Sequence, residues 1–345
     1  VTRTSWKSVL VTIVKLAIIV TVVFFIGRAV QTARVDLARQ PYSLRSLRPA
    51  WLVLASLSYL LGIFPMAAFW HRLLHALGEN VRWFPTIRAH YVGQLGKYVP
   101  GKAMVLAIRL GMVRRQGIDM TAGVLSVFSD TLTMMSVGAV LALMLLASRY
   151  RDEPWVLAAG LLMAMGAAIP SSPPIMKVAL EYFYRQRTGR QLDASRTARL
   201  TAAVLAPGWL GIAGGWFLMG VSMWATLKAL DLEETRQLAI ADIPEITAVV
   251  AASVVGGFAS ILPAGFGVRE WIYNELITPR YGTIAGVLAP VLSRLVWLIS
   301  ELIISAILYG CMSASDRSWA TEVEQRTDGP VAGDQAPPAS AAERP

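Results

Sequence analysis

Apolar and polar residues along this chain segregate into blocks; they do not alternate at the period of an amphipathic helix or strand. Apolar runs occupy 9–27, 51–70, 120–147, 155–175, 200–227, 246–268 and 281–309. Each is near or above the ~20 residues an α-helix needs to cross a ~30 Å hydrocarbon core. Charges inside them are few: Lys15 in the first, Asp130 in the third, Arg294 and Glu301 in the last. The pattern predicts an all-α, polytopic membrane protein with about six transmembrane helices. The run 9–27 is long, and the "GRAVQTARV" after it is a poor small-residue cleavage site, so it reads as a retained span.

Composition strengthens this reading. Of 345 residues, 55% are hydrophobic and 16% charged, with a mean hydropathy of +0.52. A soluble domain carries roughly 25% charged residues. The formal net charge is +10, but the cations lie beside membrane segments, which points to an anionic membrane lipid as partner and away from nucleic acid. The single cysteine, Cys311, excludes an internal disulfide and a thiolate metal cluster. Residues 1–312 read as one membrane domain, and the Pro/Ala-rich segment 313–345 as a disordered tail.

Short-loop lysines and arginines set orientation. Segment 71–119 carries Arg72, Arg82, Arg88, Lys97, Lys102, Arg109, Arg114 and Arg115, and segment 177–199 is similarly basic, so both are expected on the cytoplasmic side. Segment 228–242 is net acidic and 149–153 balanced, so both are expected outside. Both termini then fall on the cytoplasmic side of the cell membrane. Arg34, Arg39, Arg45 and Arg48 run against this assignment.

Two stretches interrupt the apolar pattern in the same way. "GQLGKYVPGK" (93–102) and "GGFASILPAG" (256–265) each open on glycine and reach proline seven residues later, at Pro100 and Pro263. Candidate bend-forming residues are Gly93, Gly96, Pro100 and Gly101 in the first, and Gly256, Gly257, Pro263, Gly265 and Gly267 in the second. If each stretch dips into the membrane and returns, the chain reads span, span, dip, span, twice over. The first unit, about 9–147, would begin inside and the second, about 155–310, outside. That arrangement of two re-entrant hairpins is an inverted repeat, with binding groups expected on the broken helices near the midplane. The alternative is that 246–268, being 23 uncharged residues, simply crosses, which would put the C-terminus outside.

Irregular backbone at membrane depth must find partners in protein or water. A helix restarting after such a break aims its N-terminal amides at the gap, an arrangement that receives anions. Lys97, Lys102, Arg109, Arg269 and Glu270 flank the two breaks, and Asp130, Arg294 and Glu301 lie inside apolar runs, where an unpaired charge is costly. These eight residues are the candidate substrate-binding set. Asp130 and Arg294, at matching depths in the two units, are expected to pair. Simple contact with lipid phosphates is the competing reading for the basic residues, above all Arg114 and Arg115. His71 and His75 have i, i+4 spacing but no third ligand nearby, so an interfacial role is expected and no metal. Gly211 and Gly215 form a GxxxG suited to close helix contact, and 182–199 reads as a basic segment on the inner leaflet. No nucleophile–base set, phosphate loop or cofactor motif is present in the sequence, so no enzyme activity and no cofactor are expected.

The residues "GQLGKYVPGK" with Arg109, "LPAGFGVRE" (262–270) and "LSRLVWL" (292–298) resemble the family that includes the membrane region of lysylphosphatidylglycerol synthases and stand-alone flippase-like proteins. The resemblance runs from Val9 to about Gly310 and implies the binding or movement of phospholipids or lipid-linked sugars between leaflets. The chain departs from the pattern at "SVFSDTL", which has Asp130 without the usual preceding Glu-Arg, and at Lys102-Ala103-Met104, where a glycine is common. Synthases add a soluble transferase domain, and that activity is not expected here. The expectation is a flippase-like lipid translocator holding an anionic phospholipid or lipid-linked phosphate headgroup between the repeats. The alternatives are a non-transporting scaffold for a glycosyltransferase or lipid-modifying enzyme, or a membrane enzyme using a lipid-linked donor. Oligomerisation is left open.

Overall fold

In the computed structural model the described residues are 43–99, 103–148, 152–189, 198–260 and 267–310, with a few isolated positions beyond them. The span expected at 9–27, the tail from 313, Pro100, Gly101, Lys102, Pro263 and Gly265 lie outside the described residues. The described residues form helices and no strand, so the all-α polytopic expectation holds. Five helices are long and apolar enough to cross a membrane, and six if a pair bent by 44° counts as one span.

The first long helix, α1 (Pro49–Ala76), opens on proline, whose missing N–H costs nothing there. Val53, Leu57, Leu61 and Phe64 form an exposed apolar stripe along it. Two short helices follow, α2 (Trp83–Gly93) and α3 (Ala103–Val113), joined through a 3-10 stretch at Gln94–Tyr98. They pack against each other as a hairpin. The base of the hairpin is tied shut: the Arg82 N–H donates to Gln116 Oε1 at 2.7 Å, and the Asp119 N–H to Glu79 Oε2 at 3.1 Å. Chain that leaves at Glu79–Arg82 is therefore back beside it at Gln116–Asp119.

Helix α4 (Met120–Ala147) coincides with its apolar run and starts where Asp119 Oδ1 accepts from the Ala122 N–H at 2.8 Å. The run 155–175 does not stay straight. It divides into α5 (Pro154–Ala168) and α6 (Pro173–Thr188), because Pro170, Pro173 and Pro174 end the first helix and start the second.

Helix α7 (Ala202–Ala229) runs antiparallel to α1 along nearly its whole length. The Arg48 N–H donates to the Ala229 carbonyl at 3.0 Å at one end. Midway, a Cβ on Gly215 would lie 2.5 Å from the Gly62 carbonyl oxygen, and towards the other end the Phe69 ring fills the space over Gly208. Arg48 also bridges to Asp231 at 2.9 Å, so one of the arginines that opposed the charge-based orientation is neutralised by the acidic segment beside it.

A second hairpin follows. Helix α8 (Ile243–Ala259) leaves from Asp242, and α9 (Val268–Gly310) brings Arg280 back to Asp242 at 2.5 Å and to Glu245. α9 then breaks at Gly282, whose φ of +81° is left-handed, and its second arm carries the last apolar run. Length and composition would let 240–259 cross a membrane, and Arg280 brings the returning arm back beside the start of α8.

The hairpins share a register. Gly93 faces the Arg109 side chain, and Gly256, 163 residues on, faces Ile272, which is 163 residues after Arg109. Gly123 packs on Leu110 and Ile118, and Gly286, again 163 residues on, packs on Thr278 and Asn274. Gly256 and Gly257 therefore do not make a bend as expected; they lie within α8, and Gly256 serves close packing. Gly93 likewise ends a helix, Gly96 sits within the 3-10 stretch, and Gly267, with φ +84°, is the expected glycine found at a turn.

Candidate functional site

The tip of the first hairpin and the start of α9 meet around one indole. Trp297, on the second arm of α9, stacks on the Tyr59 ring from α1 with centroids 4.5 Å apart and planes 8° from parallel. Its Nε1–H donates to Ser222 Oγ of α7 at 3.0 Å, which fixes the indole from the far side. Three elements thus hold one aromatic wall.

Cations gather on that wall. Lys97, in the 3-10 stretch, donates to Tyr59 Oη at 2.9 Å, pairs with Glu301, and has its ammonium 5.2–5.7 Å from the rings of Tyr59, Tyr98 and Trp297. The Arg269 guanidinium stands over Trp297, 5.6 Å from the ring centre. Arg294 pairs with Glu270 at 2.5 Å. Glu270 in turn accepts from the Gly267 N–H at 2.8 Å, the local bond that starts α9. Glu301 is fully buried, and Tyr59 also donates to it.

Lys97, Arg269 and Arg294 outnumber Glu270 and Glu301 by one positive charge. Arg269 Nε and Nη2 are buried, and among the described residues no hydrogen-bond partner meets them. Buried donors left open cost free energy, and a carboxylate, phosphate or sulfate is the chemistry that could satisfy them.

A second cluster lies between the first hairpin and α4. Arg109 Nη1 pairs with Asp130 Oδ2 at 2.7 Å, and His90 Nε2 stands 3.6 Å from the same oxygen. The guanidinium lies 5.3 Å from the Trp70 ring, whose Nε1–H donates to Ser126 Oγ at 3.0 Å. His90, Arg109 and Asp130 are at most 4% exposed.

The expected site residues thus divide. Lys97, Arg269, Glu270, Arg294 and Glu301 come together, and Arg109 and Asp130 form a separate buried pair. The expected Asp130–Arg294 pair does not form. Each charge is met inside its own half, because the hairpin packed on each long helix supplies a partner within reach: α3 brings Arg109 to Asp130, and the first turn of α9 brings Glu270 to Arg294. Arg109 accordingly faces Asp130 and not the cluster around Trp297. Sequence reasoning missed Tyr59, Tyr98, His90 and Trp70. An aromatic residue in an apolar run carries no polar signal of its own, although Tyr98 next to Lys97 and Trp297 three residues after Arg294 lay within the quoted motifs. Among the described residues no group of three or more His, Cys, Asp or Glu side chains is placed to hold a metal ion.

The family model described as the lysylphosphatidylglycerol synthase TM region matches residues 12–305. No curated protein matches the chain.

Proposed function

The chain belongs to the lysylphosphatidylglycerol synthase TM-region family, and we propose that it is a lipid translocator that receives an anionic headgroup at the Lys97–Arg269–Arg294 cluster. The open donors of Arg269 carry this reading: two buried nitrogens of the guanidinium over Trp297 meet no hydrogen-bond partner among the described residues. A phosphate, of a phospholipid or of a lipid-linked sugar, supplies that acceptor, and the apolar surroundings suit the attached lipid. The two hairpins are taken as re-entrant halves of an inverted repeat, which rock about the antiparallel α1–α7 seam. The membrane is taken as the cytoplasmic one, with the basic end of the bundle inside.

The test is lipid movement. The full chain in liposomes of mixed neutral and anionic phospholipid, with a fluorescent anionic lipid, is expected to accelerate its exchange between leaflets. Arg269→Ala should remove that acceleration while leaving the melting temperature in place. Exchange equal in protein-containing and protein-free vesicles would overturn the reading and favour a scaffold for a separate lipid-modifying enzyme. New lipid products formed from a lipid-linked donor would favour an enzyme.

A further inference from the structure

The charged trio between the first hairpin and α4 has no role in the anion site, and its geometry is unfinished. Both ring nitrogens of His90 are buried without a hydrogen-bond partner among the described residues, as are Asp130 Oδ1 and Arg109 Nε. Packing alone does not require these side chains. In the second half the same hairpin-on-helix contact recurs with Ser253, Ile272 and Ser293 at the positions 163 residues after His90, Arg109 and Asp130. Those two serines are satisfied within their own helices, by the carbonyls of Val250 at 2.9 Å and Pro290 at 3.0 Å. One half therefore achieves by small and apolar groups what the other does with an arginine, a carboxylate and an imidazole.

We infer that His90, Asp130 and Arg109 form a proton-binding site that clamps or releases the first hairpin. At 3.6 Å the imidazole makes no hydrogen bond to Asp130, and the carboxylate is bonded to Arg109. A proton taken up by the ring makes both nitrogens donors and the imidazole a cation, and closing the gap to about 3 Å makes a charge-assisted bond from Nε2 to Oδ2. The oxygen Arg109 uses is then shared, and the buried cluster carries one positive charge in excess. Withdrawal of Arg109 relieves that excess. Arg109 lies against Gly93 of α2 and over Trp70 of α1, so its departure loosens α3 from α4 and from both neighbours. The charged groups acting on His90 are Arg109 from α3 and Asp130 from α4. α1 presents Trp70, which is not titratable, and the adjacent Tyr91 donates its hydroxyl to the Leu60 carbonyl at 2.8 Å. α9 brings Glu301 along the hairpin, but Lys97 and Tyr59 hold it.

Hydrogen exchange of the full chain in lipid nanodiscs tests this, with intrinsic rates corrected, between about pH 8 and about pH 4, low enough for an imidazole buried beside a guanidinium to take its charge. The amides of α2 and α3 are expected to exchange at least about tenfold faster at the lower pH, and His90→Gln should abolish the difference. A difference of the same size in His90→Gln, or none in the unmodified chain, would overturn the inference. A second readout does not alter His90: in a chain carrying His71→Gln and His75→Gln, His90 is the sole histidine. With its ring isotope-labelled, infrared difference spectra between the same pH values should show an imidazolium band, and its absence would also overturn the inference. Neither readout uses lipid movement, so the proton site and the translocator reading stand or fall separately.

Discussion

Gly62 and Gly215 meet backbone to backbone at the α1–α7 crossing: a Cβ on either would press into the other's carbonyl oxygen, at 2.9 Å from Gly62 and 2.5 Å from Gly215. The two glycines are 153 residues apart, and the helices that carry them run antiparallel. The contact is therefore reciprocal, each helix presenting the same feature to the other. Without a hydrophobic effect between helices in lipid, such close approach supplies the dispersion contacts that hold them.

Gly215→Val is expected to weaken this seam by about 1–3 kcal/mol, the usual cost of forcing extra carbon into a packed contact. Gly214→Ala is the control, because nothing lies within 4 Å of a Cβ there. Its expected effect is neutral to slightly stabilising, since alanine is the better helix former. Thermal melts of both variants in one detergent decide it, and equal loss in the two would show that the crossing is not the weak point.

The buried Arg109–Asp130 pair predicts a strongly non-additive cycle. Asp130→Asn or Arg109→Met alone leaves one buried charge without its partner and should cost on the order of 3–5 kcal/mol. The double variant, with both charges gone, should lose less than the sum of the two, and the cycle isolates the coupling. Denaturation of the four proteins at neutral pH gives the coupling term, and additive losses would mean that the two side chains do not pair.

How much of this could be read from the chain differs between elements for physical reasons. α4 was legible because one uninterrupted apolar run begins at a capping aspartate, Asp119, and nothing inside it breaks a helix. A 163-residue spacing was legible too: it separates Pro100 from Pro263 in the sequence, and Gly93 from Gly256, each of which packs against the returning arm of its hairpin. What those glycines do was not legible. Gly256 looks like a bend in sequence and is a packing contact in the fold, a distinction set by Ile272 on another helix. The charge pairing failed for a related reason: equivalent depth in two repeats says nothing about reach, and Arg294 finds Glu270 before it can find Asp130. Tyr59 joins the site only because α1 packs beside α9, which no local pattern records.

Glu301 is fully buried between Lys97 and Tyr59. Lys97→Met should therefore harm the protein in two ways, leaving a buried carboxylate unpaired and removing the tip of the first hairpin from α9. Pairing it with Glu301→Gln should recover most of the lost stability, with a melting temperature within a few degrees of the unmodified protein. Lipid exchange should stay impaired in the double variant, because the cation is still missing. Recovery of both properties together would assign Lys97 a purely structural role.

At the opposite end of α1, Asp231 answers to Arg236 at 2.8 Å and to Arg48 at 2.9 Å, and these guanidiniums hold its carboxyl below its ordinary 3.8. A depressed carboxylate contributes stability that is present above its unfolded value and is lost as pH falls through the lower, folded value. The unmodified protein should accordingly outlast Asp231→Asn at pH values above the ordinary carboxylate range, and the two melting temperatures should converge in more acidic buffer. Asparagine is the right replacement, because Asp231 has a φ of +52° and asparagine tolerates that left-handed backbone. Both guanidiniums stay in place in the variant, so a gap that persists unchanged into acid would have to come from backbone geometry and would remove the ion pairs as the link between α1 and the segment after α7.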